Sequence, residues 1–553
     1  MLNFIIGRNN SGKTEKIRAL IAERASENKK CILIVPEQFS FESERSILEK
    51  IGAQKMLNVD ILSFTRLAFV INEQYGKALN KTIDDGTRKV LMSLSLEALS
   101  GKLEYFKRFS SKPALLSNLL TFVTELKQCA VTPDEIAEIS GKTGNKSLGK
   151  KLSELSLIAA SYDALVSRSF FDDENLLTIA ADMISETDFF DGKAVYFDAF
   201  CGFTKQERNC IKSILPKAEN VFISLCTDRD LSREGVSVFE NVNSEFSHIK
   251  ECAAEQNVGV SSPEILNVKE DGRSPELVYL EKYLCGEEFK PYKEECDNIV
   301  VCAAGNRADE ADFVACEIKK LLRCNPTLRC RNIAVIERTA GTYDKELSES
   351  FKKYGVPMFE DKRRPIGIQP VMVFVKCLLA LCAEGFSTES FMRLLKTGLT
   401  ALSGDEISEL ENYAFLWNID GSKWRRDFTE NPDGLGFDVT EKSQEKLIRL
   451  NDIRKRSVLP VLAFKKDFEE ADGEKKSRLI YEFLIKNGVT ERLREKIEYL
   501  VSSGDTVLCE EQDTVWATLM DMLGKMASAI GETVITAKRY SELFNILLSA
   551  VTL

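Results

Sequence analysis

An α/β fold with two strand-and-helix units, the first interrupted by a helical insertion and the second followed by a helical stretch, is predicted by three observations on this 553-residue sequence. Short apolar runs alternate with helical periods, near the start and again near residue 300. A glycine-rich turn joins the first run to the first helix. Strand signals vanish over 82–188 and again beyond about residue 371.

The first five runs, Leu2–Ile6, Cys31–Val35, Val59–Leu62, Val195–Phe197 and Val221–Leu225, read as strands of one parallel sheet. Ile17, Leu20 and Ile21 recur at helical spacing and lay an apolar stripe against it. Amphipathic helices follow over Thr87–Leu99, Ala114–Cys129, Leu148–Val166 and Leu176–Ile184, with Pro113 and Pro133 at helix starts and a loop over 141–149. Residues 228–295 are polar and irregular and read as a connection. Strands at Ile299–Ala303 and Ile333–Ile336, flanking a helix Ala308–Leu322, predict the second α/β unit. Helical periods then dominate, and the last, Tyr540–Leu553, reaches the final residue with no capping glycine, so a truncated chain is expected.

Composition narrows the chemistry. The chain is 44% hydrophobic and 29% charged, an ordinary globular balance. Its net charge of −11 argues against a nonspecific DNA coat, though not against a local groove; the basic groups Lys362-Arg363-Arg364 and Lys423 with Arg425 and Arg426 read first as solvated surface charges. His248 is the single histidine, which leaves almost no material for imidazole catalysis or zinc binding, and it reads as a solvated side chain. Fifteen cysteines are scattered without C-x-x-C spacing and read as free thiols in a reducing cytoplasm. Met1–Ile6 lacks the basic flank of a signal peptide. The apolar stretch Val371–Ala383 is shorter than the roughly 20 residues of a membrane span, so no membrane is expected.

The chemistry-bearing motif is Gly7-Arg8-Asn9-Asn10-Ser11-Gly12-Lys13-Thr14, a complete G-x-x-x-x-G-K-[ST] between an expected strand and an expected helix. Glycines let successive N–H groups turn toward phosphate oxygens, at a helix N-terminus that favours anions. Lys13 is expected to neutralise β/γ oxygens of ATP, and Thr14 to offer its hydroxyl to Mg²⁺. A second Mg²⁺ ligand is expected at Asp198, the acid that ends the strand Val195–Phe197. The next residue is Ala199, where a water-activating glutamate would stand, so binding is expected more firmly than hydrolysis. Asp228 and Asp230, past Val221–Leu225, are either further site acids or loop caps.

With these residues the chain resembles the N-terminal half of the AddB (RexB-like) family, subunits of bacterial AddAB helicase-nucleases related to superfamily 1 helicases. The resemblance spans nearly all of the chain and rests on ordered blocks. They are Gly7-Arg8 leading into the P-loop, Val35-Pro36-Glu37-Gln38 with Phe41, and Leu62-Ser63-Phe64-Thr65-Arg66-Leu67-Ala68. Phe197-Asp198-Ala199-Phe200 with Gly202-Phe203-Thr204 follows, then Tyr354-Gly355-Val356-Pro357, Leu395-Lys396-Thr397-Gly398-Leu399 and Leu410-Glu411-Asn412-Tyr413 with Trp417 and Trp424.

The resemblance implies a P-loop NTPase with two RecA-like motor domains. Residues 1–81 and 189–295 would form the first, with 82–188 as its helical insertion. Residues 296–370 would begin the second, with 371–553 inserted in it. It also implies an AddA-like partner subunit, engagement of a DNA strand or duplex end, and a nuclease with an iron-sulfur cluster only in the missing C-terminal half. Glu37, Gln38, Phe64, Thr65 and Arg66 match strand-end positions that face DNA. Phe64 is either a base-stacking ring or a core aromatic, and Arg66 either a phosphate contact or a surface charge. Arg338 matches an arginine that reaches the γ-phosphate, or is an exposed loop charge. Two other functions fit parts of the sequence: a nucleotide-clamped, DNA-binding scaffold without turnover, suggested by Ala199, and a small-molecule P-loop kinase, which fits the loop alone.

Overall fold

Six strands pair in parallel, in the order β3-β2-β4-β5-β1-β6. They are β1 Leu2–Ile6, β2 Cys31–Ile34, β3 Val59–Leu62, β4 Ala194–Phe197, β5 Asn220–Leu225 and β6 Glu264–Ile265. These come from a computed structural model that describes residues 1–76, 83–106, 112–169, 173–228, 238–268, 272–284, 290–360, 365–504 and 506–551. The first five strands lie where their apolar runs put them. The sixth, a two-residue edge strand beside β1, falls in the stretch read as a connection, because two residues carry no periodicity.

Alternation along the strands sends side chains to two helical layers. Leu2, Phe4, Ile6, Ile32, Ile34, Val195 and Phe197 pack under the helices Phe64–Tyr75, Asp173–Glu186, Lys205–Ile214 and Glu240–Glu255. Ile5, Leu33, Ile61 and Tyr196 face the helices α1 (Lys13–Ser26) and α2 (Ser40–Ile51) through Ile17, Ile21 and Ile47. The helix Asp173–Glu186, grouped by sequence with the insertion 82–188, belongs to the sheet: Leu176, Ala180 and Ile184 are buried in its core.

The chain forms two compact units, one of Met1–Glu234, Phe239–Val268 and Arg364–Leu553, the other of Gly235–Val238 and Lys269–Arg363. In the first unit, helical residues from Ile83 to Val166 and from Ile366 to Leu548 share a single apolar core. They read in sequence as two separate insertions. The helix Asp85–Ala98 meets the helix Ala537–Ala550 so closely that a Cβ on Gly86 would lie 2.4 Å from Leu547 Cδ1. Lys525 Nζ reaches Asp84 Oδ2 at 2.6 Å, and Arg539 Nε reaches Glu97 Oε2 at 2.9 Å.

The second unit departs from expectation. The helices Arg307–Cys324 and Asp344–Tyr354 pack around Ala315, Ile318, Phe351 and Val356. The segments 299–303 and 333–336, expected as strands, pair with nothing in a ladder. Val301 is 94% and Ile336 91% exposed. An apolar run makes a strand only where another backbone accepts from its N–H groups and donates to its C=O groups, and among the described residues no such ladder forms here.

Candidate functional site

The loop after β1 turns as its glycines require. Gly7 donates its N–H to Leu225 O at 3.3 Å, tying the loop to the end of β5. A Cβ on Gly7 would stand 2.4 Å from Ser11 Oγ and 2.8 Å from Leu266 O, so only glycine fits. Asn10 (φ 61°) and Gly12 (φ 85°) are left-handed, and Gly12 opens α1 with no side-chain cap on the first amides. Lys13 Nζ donates to Gly7 O and Arg8 O, both at 2.8 Å. Its ammonium thereby spans the mouth of the loop, on two carbonyls that it can exchange for anionic oxygens.

Arg8, expected to contact nucleotide, turns its side chain to Asp228, with Nη2 3.0 Å from Oδ2. Asn10 donates its N–H to Asn9 Oδ1 at 3.0 Å. Thr14 is partly exposed in the first turn of α1. Asp198 follows β4 at the same C-terminal edge of the sheet, with β5 between β4 and β1. Two strand spacings therefore separate it from the loop after β1, about 10 Å. Its carboxylate is buried and accepts the Ser224 hydroxyl of β5, and its N–H donates to Ile34 O at 3.1 Å. Ala199, next in sequence, is left-handed at φ 65°, a conformation that costs a non-glycine residue.

Glu37 and Gln38 are exposed in a short turn directly after β2. Thr65 and Arg66 are exposed after β3, on the neighbouring strand. Arg66 Nη1 lies 3.4 Å from Glu44 Oε1, which ties this helix start to α2. Phe64 points the other way. It is 6% exposed, with its ring centroid 5.9 Å from Phe197, 5.5 Å from Phe200 and 6.2 Å from Phe203. Of its two readings the core aromatic describes it, and a base could stack on Phe64 only after that cluster opened.

Arg338 is exposed, just past residues 333–336 in the second unit. Asp230 and Lys362-Arg363-Arg364 lie outside the described residues. Every described cysteine is a free thiol, and burial pushes those of Cys31 and Cys382 up to about 11 and about 12. Among the described residues no cluster of three or more His, Cys, Asp or Glu is placed to hold a metal, and no helix is long and apolar enough to cross a membrane. Thr14 and the buried Asp198 carboxylate are hard oxygen donors of the kind Mg²⁺ takes alongside phosphate oxygens. Sequence reasoning missed the Arg8–Asp228 and Ser224–Asp198 pairs, since each joins residues far apart in the chain.

Comparison with known proteins agrees with the motif order. The family model described as "ADDB, N-terminal" matches residues 4–281. The B subunit of the ATP-dependent helicase/deoxyribonuclease of Acetivibrio thermocellus is 29% identical over 561 residues, covering 99% of this chain and 48% of the relative. Proteins of the same name from Clostridium acetobutylicum and Clostridioides difficile are each 28% identical, covering 98% and 99% of this chain and 48% of each relative. The chain thus spans about half the length of the curated relatives it matches.

Proposed function

The chain belongs to the AddB N-terminal family, and from that premise we propose that it is the ATP-binding, helicase-like portion of the B subunit of an ATP-dependent helicase/deoxyribonuclease. Such an enzyme processes double-strand DNA breaks for recombinational repair in the cytoplasm, with an AddA-like subunit as partner. The observation that carries ATP binding is the loop geometry, in which a left-handed Gly12 opens α1 and Lys13 Nζ bridges the carbonyls of Gly7 and Arg8. On binding, Lys13 exchanges those carbonyls for β/γ oxygens while loop amides cradle the phosphates. Thr14 and Asp198 would hold Mg²⁺, which supplies charge neutralisation when bound. The two motor domains of the family belong to the same proposal, as does a nuclease and cluster-bearing half beyond this chain. DNA is met by the exposed Glu37, Gln38, Thr65 and Arg66 at the ends of β2 and β3. Titration with a fluorescent ATP analogue tests the site: Lys13→Ala is expected to weaken binding at least about tenfold, from the loss of a charge-assisted contact. Unchanged affinity would remove the assignment.

One observation favours a second reading, a nucleotide-clamped DNA scaffold without turnover. Ala199 stands at φ 65° beside Asp198, so no second carboxylate follows the metal ligand. Steady-state hydrolysis with single-stranded DNA separates the two: turnover that disappears in Asp198→Ala excludes the scaffold, and its absence in the wild type supports it.

A further inference from the structure

We propose that Arg8 is a positioning residue of the phosphate loop, which cancels the charge of Asp228 and ties the segment after β5 to the loop. The inference rests on the nucleotide-binding reading and adds a component that the loop pattern does not specify, since Arg8 occupies one of its variable positions. Two ties join the loop to the same neighbour. The backbone tie runs from Gly7 N to Leu225 O at 3.3 Å, and the side-chain tie from Arg8 Nη2 to Asp228 Oδ2 at 3.0 Å, three residues farther on. The guanidinium also lies over the Phe239 ring, 5.4 Å from its centroid, and the Arg8 side chain is only 15% exposed. Meanwhile the Arg8 carbonyl is one of the two that hold Lys13 Nζ.

Asp228 therefore stands one side-chain length from a loop built to receive a polyanion. With the Arg8 charge removed, its carboxylate would repel entering phosphates more strongly, and partial burial limits screening by solvent. The Arg8 guanidinium offsets that charge at 3.0 Å, and the loop is held in shape before any ligand arrives. Arg8 acts through Asp228 and touches no phosphate.

A double-mutant cycle on the full 553-residue chain tests this, reading the affinity for a fluorescent ATP analogue. Arg8→Ala is expected to weaken binding about tenfold, a loss that shrinks at high salt. Asp228→Asn and Arg8→Lys are each expected within about threefold of wild type, and the double variant Arg8→Ala/Asp228→Asn, which sheds the repulsion but still lacks the tie, should recover part of the loss of Arg8→Ala. A double variant as weak as Arg8→Ala alone, or a loss indifferent to salt, would overturn the proposal. Thermal melts report whether each variant folds. If Arg8→Ala does not, Asp228→Asn and Arg8→Lys carry the test, and a loss well beyond threefold in either overturns it. Lys13→Ala separates the failures: if it weakens binding and Arg8→Ala does not, only the role of Arg8 falls. If neither weakens it, the nucleotide reading falls too.

Discussion

At Gly7 and Phe64 single positions decide what the site can be. A methyl group at Gly7 would overlap Ser11 Oγ and press on the Leu266 carbonyl, which is main chain and cannot swing away. Gly7→Ala is therefore expected to destabilise the chain by about 1–3 kcal/mol, the usual range for overpacking, and to weaken nucleotide binding in the same titration. Phe64 sits among Phe197, Phe200 and Phe203 beneath the strand ends. Phe64→Ala should cost about 3 kcal/mol in chemical denaturation, and a loss under about 1 kcal/mol would mean that the ring is not packed as described. Arg66, three residues from its capping serine, stays exposed, whereas Phe64 is buried in this conformation.

Elements are set by their ends as much as by their faces. The helix Phe64–Tyr75 begins where Ser63 Oγ accepts the Arg66 N–H at 3.2 Å, and that cap aims Thr65 and Arg66 outward. Ser63→Ala is expected to cost about 1 kcal/mol in thermal denaturation. The helix Asp85–Ala98 begins on Asp84, whose carboxylate accepts the Thr87 N–H at 2.9 Å and pairs with Lys525. Burial raises the Asp84 pKa, but the bonds from Lys525 and Thr87 outweigh it and hold the group below its ordinary value. A depressed carboxylate stabilises the fold fully above its unfolded pKa of about 4 and loses that contribution as pH falls through the folded value. Acidification from pH 6 to pH 3 should lower the melting temperature more in wild type than in Asp84→Asn, which keeps a cap and lacks the charge. Equal shifts in the two proteins would refute the linkage.

Across the whole molecule, stability is unevenly distributed. The helices of 83–169 share one core with those of 366–548, so residues 83–169 expressed alone should show no cooperative melt, whereas the full chain should. The second unit has a buried centre of Ala315, Ile318, Phe351 and Val356, and its amides should exchange hydrogen faster than those of the six-stranded sheet. What the sequence settled alone was local: the glycine turn between β1 and α1, written in eight contiguous residues, and five strands, each a short apolar run. Glycine torsions, helix starts and alternation depend on neighbours a few positions away, and these are legible in order. Tertiary structure decided which faces met. It placed Asp198 two strands from the loop, joined Arg8 to Asp228 across 220 positions, turned Phe64 inward and merged two helical stretches into one core. It also left 299–303 and 333–336 without strand partners. A periodic pattern announces that a face will be buried, but the partner that buries it lies far along the chain, and only packing chooses it.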